Sequence, residues 1–101
     1  MGRVASLGCV LCKHMDITQA SRTQVHHIKA DQGLAQRAEH WLTVALCVDH
    51  HQGPNGYHAL GTKGFYTRYR LDELDLLAMT IEALERRAQE ARQNLSESLQ
   101  Q

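Results

Sequence analysis

Two residue pairs, Cys9-x2-Cys12 and Cys47-x2-His50, constrain this chain more than any other feature. A two-residue gap lets both side chains of a pair reach one ion from a tight turn. Two such pairs make a closed tetrahedral site with no position left for chemistry, and thiolates with an imidazole favour zinc. A chain of 101 residues buries only a modest core and commonly leans on a metal or on disulfides. Three cysteines cannot close into disulfides without one thiol left over, so the sequence reads as intracellular, with every thiol on the metal. The plain alternative is three buried thiols packed as small hydrophobes; the matched spacing of the two pairs favours the ion. The fourth ligand is the least defined, because His51 or His14 can replace His50.

Histidine is the second signal. The chain has seven, and His26, His27, His50, His51 and His58 fall in pairs or close by. Val25–Ile28 and Trp41–Val48 are short runs with β-branched or aromatic residues that suit strands, the polar stretch between them offers a small helical turn around Leu34–Ala38, and Gly61 and Gly64 flank Lys63 in a flexible stretch. Adjacent side chains on a strand point to opposite faces, so one imidazole of His26-His27 can bind a metal while its neighbour addresses a water from another direction. His51 and His58 add two neutral nitrogen ligands, and three histidines with open coordination positions describe a catalytic site. Alone, His26-His27 would read as one core and one surface histidine; beside the Cys/His frame the functional reading is stronger.

Cys9-x2-Cys12, His26-His27-Ile28 and Leu46-Cys47-x2-His50-His51 with His58 downstream together resemble the HNH (ββα-metal) endonuclease superfamily. Within it, His51-Gln-Gly-Pro-Asn-Gly-Tyr-His58, Gly64-Phe65 and Leu71-Asp-Glu-Leu-Asp-Leu-Leu look like the phage RecA-dependent nucleases of the recombination enhancement type. The resemblance implies an α+β fold, a β-hairpin followed by a helix that grips one divalent ion. It implies that His26, His51 and His58 are the ligands of that catalytic ion (Mg, Mn, Ni or Zn) and that His27 is the general base. It also implies 5′-phosphate and 3′-hydroxyl products, a phage or prophage source, the bacterial cytoplasm as location, and a RecA filament as partner. Two departures stand out. His51 and His58 are separated by six residues instead of three, so a loop through Gly53, Pro54 and Gly56 must bring His58 back to the ion. The family's middle asparagine has no clear match, leaving His40 or Thr43 to orient His27.

The charge distribution points the same way. Residues 1–70 carry eight Lys and Arg against four acids, and residues 71–101 three against seven, so a DNA contact belongs to the first seventy residues. Lys63, Arg68 and Arg70, interleaved with Phe65, Tyr66 and Tyr69, are the candidate nucleic-acid contacts, with Phe65 and Tyr69 read as core. No apolar run suits a membrane span, and Cys9-Val-Leu-Cys12 interrupts the only region for a secretory signal.

From Asp72 the pattern becomes helical. Asp72 and Asp75 suit a capping box, and Leu74, Leu77, Ile81, Leu84, Ala88, Ala91 and Leu95 form a heptad seam. The organisation expected is a zinc-bearing HNH module over 1–70 and an amphipathic helix over 71–101 packed on the same domain, or pairing two copies. The function expected is a metal-dependent DNA endonuclease. Its competitor is an inactive zinc-stabilised DNA- or protein-binding module, which has no need of His27 or His58.

Overall fold

Strands β1 (Thr23–His27) and β2 (Thr43–Cys47) pair antiparallel, with Thr23 opposite Cys47, Val25 opposite Ala45 and His27 opposite Thr43. The structure, a computed structural model, describes residues 2–28 and 42–100. The helical turn expected around Leu34–Ala38, together with His40, Lys29 and Arg37, lies outside the described residues. β2 is buried along its whole length, whereas β1 ends with His26 inside and His27 exposed, as the pleat requires of neighbours on a strand.

Two short helices precede the sheet, α1 (Gly2–Ala5) and α2 (Val10–His14). Both are too short to leave a periodic signal in sequence. They carry Val4, Val10 and Leu11 into a core shared with Leu7, Ile28, Val44, Leu46, Phe65 and Leu76. Beyond β2 the chain enters α3 (Val48–His51), turns, and continues through α4 (Tyr57–Tyr69) and α5 (Glu73–Leu99).

Helix α4 replaces what the sequence reads as a flexible stretch between Gly61 and Gly64. Gly61, at φ 73° and ψ 176°, interrupts the helix without ending it. Two glycines cost a helix about 1 kcal/mol each; burial of Tyr57 and Phe65, with Leu60 and Tyr69 packed beside them, outweighs that.

Helix α5 begins where the sequence places it. Asp75 N–H donates to Asp72 Oδ1 (2.9 Å) and Asp72 N–H to Asp75 Oδ2 (3.0 Å), a reciprocal capping box. Its inward stripe differs from the heptad seam. Glu73, Leu76 and Thr80 are buried, Leu77, Met79, Ala83 and Leu84 are partly buried, and Leu74 and Ile81 stand 54% and 43% exposed. Residues 85–100 are exposed throughout. Burial is confined to the first turns of the helix, where the Asp72 cap sets the face presented; farther along, Arg87 donates to the Ser6 hydroxyl (2.6 Å) and carbonyl (3.1 Å). Thr80 is tolerated inside because its hydroxyl donates to the Leu76 carbonyl (2.9 Å). Among the described residues no helix is long and apolar enough to cross a membrane.

Candidate metal centres

Cys9 is both the N-cap of α2 and the first thiol of a four-residue cluster. Gly8, at φ 85°, turns the chain into it, and Cys9 Sγ accepts the Cys12 N–H (3.4 Å). That hydrogen bond folds both thiols of the pair to one side. The Cys9 N–H donates to Gln19 Oε1 (2.7 Å), and Gln19 Nε2 donates to Thr23 Oγ1 (2.8 Å), tying this turn to the start of β1. Cys47 closes β2, and His50 follows on α3. The Sγ atoms of Cys12 and Cys47 lie 3.9 Å apart, and His50 Nδ1 lies 3.6, 3.5 and 3.3 Å from the sulfurs of Cys9, Cys12 and Cys47. Bonds of ~2.3 Å to sulfur and ~2.0 Å to nitrogen around a tetrahedral ion separate sulfurs by about 3.8 Å and sulfur from nitrogen by about 3.5 Å. The four residues therefore form a Cys3His cluster with the dimensions of a closed metal site, and His50, not His51 or His14, is its nitrogen.

Without an ion Cys9 and Cys12 hold their protons. Burial, then the proximity of Cys9, pushes Cys12 up to about 12, and burial raises Cys9 as well. A cation that binds here must displace protons, and it relieves the crowding of three sulfurs that raises them.

The second cluster is built by three different elements. His26 sits on β1 with 1% exposure, His51 follows His50 on α3, and His58 lies in the first turn of α4. Consecutive residues on α3 thus serve different clusters, His50 the thiols and His51 the imidazoles. The loop through Gly53, Pro54 and Gly56 returns His58 so that its Nε2 is 3.0 Å from His51 Nε2. One nitrogen from each of His26, His51 and His58 lies within 4.8 Å of the others.

Hydrogen bonding decides which nitrogens converge. His51 Nδ1 donates to Gln24 Oε1 (2.8 Å), which leaves the Nε2 lone pair facing His58. His26 Nε2 donates to the Glu73 carboxylate (2.8 Å), and His26 Nδ1 is buried with no hydrogen-bond partner among the described residues. A buried acceptor without a donor costs about 1–3 kcal/mol, unless a cation takes the lone pair. Burial first, then the neighbouring imidazoles, pushes His51 down to about 4, and burial lowers His26 against the pull of Glu73. Both rings are therefore neutral near pH 7, the form that ligates metal.

A family model described as recombination enhancement, RecA-dependent nuclease matches residues 1–85. The chain belongs to this family. Searches of curated proteins and of solved structures returned no match. The match to the recombination enhancement family takes in both clusters and the turns of α5 that touch the core, and stops where that helix becomes fully exposed.

His27 lies on the opposite face of β1 from His26, exposed, with Thr43 as its cross-strand partner. Arg68 stacks on Tyr69 (5.5 Å) and lines a hollow of about 380 Å³ with His50, Pro54 and Asn55, on the Cys3His side. Arg70, in the left-handed position that ends α4, covers the exposed ring of Tyr66 (6.0 Å), and Lys63 stands exposed one turn after His58. Sequence reasoning passed over Gln24 and Glu73. Gln24 had a signal, since it shares a strand face with His26; Glu73 had none, because an acid in the first turn of a helix reads as a complement to its dipole.

The turn between His51 and His58 makes a sharp demand. A Cβ on Gly56 would lie 2.8 Å from the Asp49 carbonyl oxygen, 2.8 Å from His51 C and 2.9 Å from His50 C. These are backbone atoms of the helix that serves both clusters. Gly56→Ala is expected to destabilise the domain by about 3 kcal/mol, the upper end of what overpacking costs, and to weaken metal binding at both clusters. Thermal unfolding and metal content measured on one preparation check this; a variant with wild-type values in both would refute the packing role.

Proposed function

We propose that the chain is a metal-dependent DNA endonuclease of the HNH (ββα-metal) class, encoded by a phage or prophage and acting with a RecA filament in the host cytoplasm. In this reading Cys9, Cys12, Cys47 and His50 hold a structural zinc, and His26, His51 and His58 hold one divalent ion, Mg, Mn, Ni or Zn. The observation that carries it is the convergence of one nitrogen from each of His26, His51 and His58 within 4.8 Å, with the buried Nδ1 of His26 lacking a hydrogen-bond partner among the described residues, one residue from a histidine that faces solvent. Membership of a family named for a RecA-dependent nuclease supports it.

Phosphodiester hydrolysis needs a deprotonated water, charge relief at phosphorus and help for the leaving oxygen. His27 takes the proton of the attacking water. Its exposure on the outer face of β1 leaves the ring open to water and substrate, and an imidazole nitrogen is a competent proton acceptor. A bound divalent ion supplies Lewis-acid stabilisation of the phosphate and the leaving 3′-oxygen. His26, His51 and His58 would hold the ion through one nitrogen each, and three protein ligands would leave other coordination positions for water and substrate. Lys63, Arg68 and Arg70 neutralise backbone phosphates, and Tyr66 offers an exposed face to an unpaired base.

The test is nicking of plasmid and single-stranded DNA by the full chain over a Mg and Mn titration, with and without RecA filament. Metal-dependent cleavage that the filament enhances is expected. No cleavage under any of these conditions would contradict the proposal and leave a zinc-stabilised binding module. Replacing Lys63, Arg68 and Arg70 with Gln is expected to weaken DNA binding and to lower the slope of log affinity against log salt by up to about 3, roughly one per lost phosphate contact. An unchanged slope would move the contact elsewhere, with Lys29 and Arg37 next in line.

A further inference from the structure

Two side chains outside the cluster hold two of its three histidines. Gln24 lies two residues before His26 on β1, so both project from one face of the strand. Its Oε1 takes the Nδ1 proton of His51 at 2.8 Å. A carbonyl oxygen can only accept, so this bond assigns the tautomer and leaves His51 Nε2 with its lone pair. Gln24 also has a second end, an amide that cannot act as a charged competitor for a cation.

Glu73 does the corresponding task for His26 from another element. It is the first residue of α5 after the Asp72 cap, 5% exposed, with Oε2 2.8 Å from His26 Nε2. The capping box places the start of the helix, and so aims this carboxylate inward. The Tyr57 hydroxyl makes a hydrogen bond to Glu73 and lies 2.8 Å from Thr62 Oγ1, and the Tyr57 ring packs on His26 at 4.9 Å between centroids. Glu73 is thus itself held, and the His26 ring is held between that carboxylate and the Tyr57 ring. The result is a His26 that presents Nδ1 and a His51 that presents Nε2. Two different nitrogens are chosen by two different acceptors.

We propose that Gln24 and Glu73 are positioning residues of the trihistidine site, one fixing the tautomer and angle of His51 and the other those of His26. The inference rests on the trihistidine cluster being a metal site. Outer acceptors of this kind raise ligand basicity and lock ring orientation, and their loss typically weakens metal affinity about 10–100-fold.

Two measurements on the full chain, with the Cys3His site loaded with zinc, test it. The first needs no variant: long-range 1H–15N correlation spectra before addition of Mn or Mg report which nitrogen of each ring carries the proton. His26 protonated on Nε2 and His51 protonated on Nδ1 are expected. His51 protonated on Nε2, or His26 on Nδ1, would overturn the assignment whatever the site binds. The second is calorimetric titration with Mn of wild type, Gln24→Ala, Gln24→Glu, Glu73→Ala and Glu73→Gln. The two alanine variants are expected to bind about 10–100-fold more weakly with zinc content unchanged, and Gln24→Glu and Glu73→Gln, which retain an acceptor oxygen, to recover much of the loss. Should Glu73→Ala fail to fold, Gln24→Ala and Glu73→Gln still decide the matter. Wild-type affinity in Gln24→Ala together with an unchanged His51 tautomer would refute the positioning role. A wild type that binds no Mn while showing the expected tautomers would instead refute the metal-site reading on which it rests.

Discussion

Replacing His27 with Ala is expected to slow DNA cleavage by roughly a hundredfold or more while metal binding stays close to wild type, since a positioned general base contributes about 10²–10⁴. The separation follows from the strand. His26 faces inward, buried and bonded to Glu73, whereas His27 faces outward and belongs to neither four-ligand nor three-ligand cluster. His26→Ala and His58→Ala are expected to behave differently: each removes a ligand, so affinity for the ion falls and cleavage falls with it. Excess metal partly restores these two and does nothing for His27→Ala. Nicking rates over a metal titration, with calorimetric affinities on the same proteins, distinguish the classes. Wild-type cleavage by His27→Ala would show that the base is another group.

The second large effect is expected on removing the structural ion. A zinc site of this composition binds with about 10–16 kcal/mol, against total stabilities of about 5–15 kcal/mol for single domains. Stripping the Cys3His cluster with a strong chelator, or making Cys9→Ser with Cys12→Ser, should therefore unfold the chain rather than loosen it locally. Partial loss has a specific consequence here. α3 is only four residues, Val48–His51, and His50 anchors it to the thiols; releasing His50 frees His51 from the histidine cluster. Circular dichroism and elemental analysis during chelation provide the check. Stoichiometric zinc persisting in the double serine variant, or a folded chain without zinc, would refute the assignment.

The residues that converge in the Cys3His cluster were legible because metal sites impose short, repeated spacings, Cys9-x2-Cys12 and Cys47-x2-His50, whereas the grouping of His26, His51 and His58 was drawn from the family resemblance. The return of His58 could also be anticipated, since Gly53, Pro54 and Gly56 rule out an unbroken helix between the last two histidines. Capping was legible at Asp72 and Asp75 for the same local reason. What failed depended on tertiary burial. The helix through Gly61 and Gly64 is sustained by Tyr57 and Phe65 against poor local propensity. The face that α5 buries, with Glu73, Leu76 and Thr80, is chosen by where the helix meets the sheet, while the apolar seam through Leu74 and Ile81 stays exposed. Thr80 and Glu73 are polar residues that a hydrophobic pattern assigns to solvent. One is admitted to the interior by a backbone hydrogen bond and the other by its bond to His26.

The central claim is that this small domain carries two metal sites of different kinds, one closed by sulfur and one left open by histidine. Anomalous diffraction from crystals of the full chain grown with Mn, recorded at the zinc and manganese absorption edges, tests it most directly. The account predicts a zinc peak enclosed by Cys9, Cys12, Cys47 and His50, and a manganese peak bounded by His26 Nδ1, His51 Nε2 and His58 Nε2, with His27 adjacent but not bonded to it. A histidine cluster with no metal peak, or an ion bound by His27 in place of His26, would contradict it.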